Sequence, residues 1–159
     1  NNNNLSINVF LNEDCRDAIN MSEFLASLHI QLKDLEYTQT NGLVEGISSV
    51  LVNGLRQLET CKRPIHCTDM KRETLYIKEN NEWDREHGKV RLRNAIETVA
   101  DKQRKAIAEW ESKNPRWEES EKGKEGYLKI VRSVMADVSQ ESEENRIIKN
   151  IAKETIIEK

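Results

Sequence analysis

Aromatic side chains are scarce in this chain of 159 residues, only 5% of it. Beside 33% charged residues, that scarcity turns the reading away from a sandwich or barrel and toward solvated helices. No apolar run approaches the roughly 18 residues of a membrane span. No charged-then-apolar leader pattern opens the sequence. Three cysteines, Cys15, Cys61 and Cys67, are too few and too scattered for a disulfide framework, so a reducing compartment is expected. The P-loop, the dinucleotide glycine fingerprint, Gly-x-Ser-x-Gly and His-Glu-x-x-His are all missing. The expectation is a protein that is not an enzyme and carries no cofactor.

What is present is length for one domain and a lopsided charge. A chain of this size buries roughly two-thirds of its unfolded surface. The net charge is −3. Residues 1–61 carry 3 basic and 8 acidic side chains, residues 62–105 carry 12 and 8, and residues 106–159 carry 10 and 12. Only the middle third has the sign to attract a polyanion as a unit.

The polar tract 1–4 reads as a linker. Residues 5–61 read as a strand followed by apolar helices. In that strand Leu5, Ile7 and Val9 alternate with polar neighbours over residues 5–10. Asn20 and Glu23 have capping-box spacing and predict a helix with Phe24, Leu25, Leu28 and Leu32 on its apolar face. Thr40-Asn41-Gly42 breaks it. Val44, Ile47, Leu51, Leu55 and Leu58 then mark a second helix over 43–58. Its small residues Gly42, Gly46, Ser49 and Asn53 imply close approach of another helix, from the same chain or from a second copy.

Pro64 ends that element. Residues 62–83, KRPIHCTDMKRETLYIKENNEW, alternate on both sides of Asp69–Arg72 and read as a β-hairpin. Residues 84–159 read as long amphipathic helices. One carries Leu92, Ile96, Val99, Gln103, Ile107 and Trp110 and is stopped by Asn114-Pro115. The next carries Tyr127, Leu128, Val131, Val134, Met135 and Val138, and the last Ile147, Ile148, Ile151 and Ala152. The expected whole is mainly α with a small antiparallel β element, a helical bundle-like domain plus a hairpin.

Each candidate site has a plain structural counterpart. His66 and Cys67 are adjacent, but strand neighbours point to opposite faces, so a dyad would need His29 or His87 brought in by the fold. Cys61, His66, Cys67 and Asp69 lack the paired spacing of a zinc site, so no metal is expected. The acidic groups Glu13, Asp14, Asp17 and Glu141, Glu143, Glu144 stand at helix starts, where carboxylates favour the dipole. Lys62, Arg63, Lys71, Arg72, Lys89, Arg91, Arg93, Lys102, Arg104 and Lys105 are candidate phosphate contacts. The apolar helix 43–58 is no reader of base edges.

The stretches NVFLNEDCRDAINMSEFLASLHIQLKDLE, GLVEGISSVLVNGLRQL, KRPIHCTDMKRETLYIKENNEWDRE and IIKNIAKETIIEK, and above all Arg63 to Lys78, resemble a multi-copy family of giant nucleocytoplasmic large DNA viruses. That resemblance covers Leu5 to Lys159. It implies a viral protein of the infected-cell cytoplasm, viral factory or virion. Members often carry a zinc-finger-like segment and a coiled coil upstream of this region. None stands before Leu5 here, so zinc binding does not carry over. Two functions follow as expectations. One is a self-associating, homodimeric assembly module for virion or factory components. The other is a nucleic-acid-associated packaging protein that contacts DNA phosphates without sequence preference.

Overall fold

A computed structural model of the chain describes residues 2–136 and 140–157. Asn1 of the expected linker and Val138 of the expected apolar face lie outside them. The architecture is mainly α with a small antiparallel sheet. In chain order it runs α1 (Asn2–Val9), α2 (Met21–Ser27), α3 (Leu32–Asn41), α4 (Leu43–Arg56), β1 (Ile65–Asp69), β2 (Thr74–Glu79), β3 (Glu82–Asp84), α5 (Gly88–Lys105), α6 (Ile107–Lys113), α7 (Glu121–Val134) and α8 (Glu141–Thr155).

The sheet has the order β1-β2-β3. The hairpin expected over 62–83 is its first two strands, with Ile65 opposite Ile77 and Cys67 opposite Leu75. The Asp69 carboxylate accepts the Arg72 N–H at 3.1 Å and holds the turn. The chain then folds back once more. Asn80 and Asn81, at φ 52° and 64°, make a two-residue turn of the kind that matches strand twist. Lys78 faces Trp83 across it. The other edge of the sheet is closed from far away. After α8, Ile156 bridges Cys67 in parallel, and Ile157 N–H donates to Cys67 O at 2.8 Å.

Alternation gives the sheet two unlike faces. Ile65, Cys67, Leu75 and Ile77 enter the main core with α2, α4, α5 and α8. His66 and Lys78 face the opposite way, onto the N-terminal segment. Phe10 meets the His66 ring edge-on at a centroid distance of 5.1 Å. The Lys78 ammonium donates to Arg16 O and Ala18 O, each at 2.7 Å. The molecule is thus layered: N-terminal segment, sheet, helices.

Two expectations for the N-terminal third are corrected. Residues 2–9 are helical and run into a π-helical turn, Phe10–Asp14, so neither a linker over residues 2–4 nor a strand over 5–10 forms. Val9 is 41% exposed, whereas Leu11, Cys15 and Ala18 are buried at the 4-3 spacing of one helical face. That longer period outweighs a brief alternation. The helix begun at Asn20 also ends early. Glu23 accepts from Asn20 N at 3.3 Å, as the capping box requires. Leu28 is already extended, however, and Lys102 Nζ holds its carbonyl at 3.1 Å. Leu32 belongs to α3, whose start is capped by Asp34 accepting from Gln31 N at 2.7 Å.

Gly42, at φ 90°, separates α3 from α4, a conformation open to glycine and costly to other residues. Further on, α5 and α6 continue one apolar face through a single interruption at Ala106. A smaller second core lies between α3, α6 and α7, built on Leu35, Trp110, Ile130 and Val134. Ile30 packs against both cores.

Candidate functional site

Among the described residues, a thiol and an imidazole meet on the outer face of the sheet, and Cys15 supplies the thiol. Its Sγ is 3.9 Å from His66 Nε2, with both side chains buried. Cys61 interacts with Cys15 from the short 3-10 turn Thr60–Lys62, because Ile19 N–H donates to Lys62 O at 3.0 Å and pins the two segments together. Burial first, then the neighbouring Cys61 thiol, pushes Cys15 up to about 12. Burial, then the Arg63 charge, pushes His66 down to about 4. Both groups are therefore neutral near pH 7. A thiol facing a neutral ring is a hydrogen-bonded packing pair, since a nucleophile needs the thiolate.

Cys67 points into the main core, where burial raises it as well. His87 is bonded to Asp84 at 2.8 Å and holds that carboxyl below the usual carboxylate range. His29 lines a surface groove between the α2–α3 loop and α4. Among the described residues, no group of three or more His, Cys, Asp or Glu side chains is arranged to hold a metal ion. Glu141, Glu143 and Glu144 occupy the first turn of α8, where the helix dipole favours them.

Most of the ten basic candidates are already engaged within the chain. Arg63 Nε donates to Leu55 O and Leu58 O at 2.9 and 3.3 Å, which caps α4. Arg72 lies 4.0 Å from Asp69, Lys89 3.7 Å from Glu73, and Arg91 3.5 Å from Asp84. Arg93 lies 3.9 Å from Glu144 and Lys105 3.0 Å from Asp101. Lys102 is spent on the Leu28 carbonyl. Lys62, Lys71 and Arg104 have no carboxylate at salt-bridge distance among the described residues. Asp101 lies four residues before Lys105 on α5 and Asp69 three before Arg72, but Glu73, Asp84 and Glu144 come from the β1–β2 turn, β3 and α8, which spacing within one helix does not reveal.

The small-residue stripe of α4 divides. Gly46 is buried, and a methyl group there would collide with the Thr38 hydroxyl of α3. Its close neighbour is thus a helix of the same chain, and a seam between two copies has no use of it. Ser49 is half-buried, while Gly42 and Asn53 are exposed, with Asn53 Nδ2 donating to Ser49 Oγ at 3.2 Å. Val9, Tyr37 and Val90 are single exposed apolar residues on α1, α3 and α5, whereas α7 and the residue just beyond it carry two: Leu128 is 48% and Met135 59% exposed. Val131, half-buried, lies between them on the same side of the helix.

No family model matches the chain, and neither a curated protein nor a solved structure does so. Among the described residues no helix is long and apolar enough to cross a membrane.

Proposed function

We propose that the protein is a non-enzymatic interaction and assembly module that associates as a homodimer, serving the infected-cell cytoplasm, viral factory or virion. The observation that carries this reading is the outer side of α7. Leu128, Val131 and Met135 fall at helical spacing, while the adjoining side of the helix, through Ile130 and Val134, is already used by the second core. An aligned apolar stripe on a helix that is anchored along its adjoining side suits a partner helix better than it suits water. The neutral Cys15–His66 pair supports the non-enzymatic part of the reading, because it offers no ionised group for catalysis.

Light scattering over a concentration series tests it. A mass of two chains is expected for the native protein and of one chain for the Leu128→Glu, Met135→Glu double variant. A native protein that stays single at high concentration overturns the dimer.

The packaging alternative rests on Lys62, Lys71 and Arg104, which have no carboxylate at salt-bridge distance among the described residues. It requires DNA binding that weakens steeply with salt. Absence of binding at about 50 mM salt, where phosphate contacts are strong, removes it.

A further inference from the structure

The turn between α6 and α7 builds a cavity of about 490 Å³ that none of the preceding chemistry uses. Its walls include Trp110, Pro115 and Trp117, its charged lining residues are Arg116 and Lys122, and Gly126 of α7 stands at its side. We infer that this cavity is a nucleotide site: it takes a nucleobase against the tryptophans and its phosphate against Arg116 and Lys122.

Size, wall and charge argue for it together. The volume falls within the roughly 300–1,000 Å³ of small-molecule sites. Trp117 has one ring face stacked on Tyr127, at a centroid distance of 4.0 Å and 7° between planes, so the indole is held rigid while the rest of its surface lines the cavity. A pre-set aromatic wall is what a base stacks on, since every base has a flat π face. The charge selects an anion. Among the described residues no aspartate or glutamate lines the cavity, although the whole chain is net negative. Arg116 does hold Glu119 at 2.6 Å, but that pair is 82% and 59% exposed and exchanges readily for a phosphate.

Gly126 makes the inference testable without wrecking the fold. A Cβ built there meets only Trp110 Cζ2, at 3.9 Å, an ordinary contact, and a longer side chain from this lining position takes up cavity space. Glycine inside a helix is also less favourable than leucine, so Gly126→Leu keeps or raises helix stability. The full chain is titrated with adenosine 5′-monophosphate, adenosine, inorganic phosphate, a single-stranded oligodeoxyadenylate and glucose, following tryptophan emission.

Saturable quenching by the monophosphate is expected. Adenosine and phosphate alone each bind at least about fivefold more weakly, because each lacks one half of the recognition. Gly126→Leu loses the response while its far-UV circular dichroism is unchanged. Arg116→Gln with Lys122→Gln weakens the monophosphate and leaves adenosine unaffected. An oligonucleotide that binds more tightly than the monophosphate identifies a nucleic-acid strand as the source, and equal affinity identifies a free nucleotide. Failure of both to quench, an equal response from Gly126→Leu, or a response to glucose and not to the monophosphate overturns the site. None of these readouts depends on the oligomeric state, so the cavity and the α7 seam stand or fall separately.

Discussion

The ammonium of Lys78 is held by two backbone carbonyls and, among the described residues, by no carboxylate. It is only 5% exposed and fastens the loop at Arg16–Ala18 to the sheet. Replacing Lys78 by Met keeps the length of the side chain and strands both acceptors. A loss of about 2 kcal/mol is expected, as for charge-assisted hydrogen bonds. Urea denaturation measures it, and an unchanged midpoint shows that the loop is held by packing alone. His66 makes a second statement at this scale, through pH. Its folded value, about 4, lies below the ordinary 6.5, so the unfolded chain takes up the proton first. Stability is complete above pH 6.5, falls as pH drops from there to about 4, and then levels. The whole step is worth about 3 kcal/mol at 1.36 kcal/mol per pH unit. Denaturation curves collected across that range should slope in the native protein and flatten in His66→Gln. Equal slopes would mean that another group carries the dependence.

Among the elements, α4 and α3 meet where Gly46 leaves room for Thr38. The Thr38 hydroxyl in turn donates to Gln103 Oε1 at 2.8 Å, which draws α5 into the same contact. Gly46→Ala should cost about 1–3 kcal/mol by overpacking. Thr38→Ala should recover part of that in the double variant, and a purely additive double variant would place the strain elsewhere. These elements also show what could be read beforehand. Helices α4, α5 and α8 and the first hairpin were legible, because their apolar periods run long enough to exclude competing patterns. Strand β3 was not, since three residues carry no period; the Asn80-Asn81 turn was its one local sign. The break at Leu28 depends on Lys102, 74 positions away. The same distance in sequence hid the site chemistry. Cys15 and His66 are 51 positions apart, and the basic candidates looked available because most of their acidic partners lie in other elements.

At the scale of the molecule, the three thiols report on the layering. Cys15 and Cys67 are buried and Cys61 is half-buried. A thiol-reactive chromophore should titrate one cysteine in the native protein and three after unfolding. Two fast native thiols would mean that the N-terminal layer lifts from the sheet. The two cores are unequal, and the one formed by α3, α6 and α7 is the smaller. Sub-global opening follows buried apolar contact. Amides of α7 should therefore exchange before those of α4 and α8, and self-association should slow them.

The strand edge of β1 is closed by Ile156 and Ile157, which lie beyond the last helix. A ribosome makes that edge long before it makes the segment that covers it. Until that segment is made, the nascent hairpin presents an unpaired row of amides and carbonyls, the template on which strands of neighbouring polypeptides can add. Elongation rate and chaperone supply should accordingly govern the yield of native protein more than the equilibrium stability of the finished molecule does.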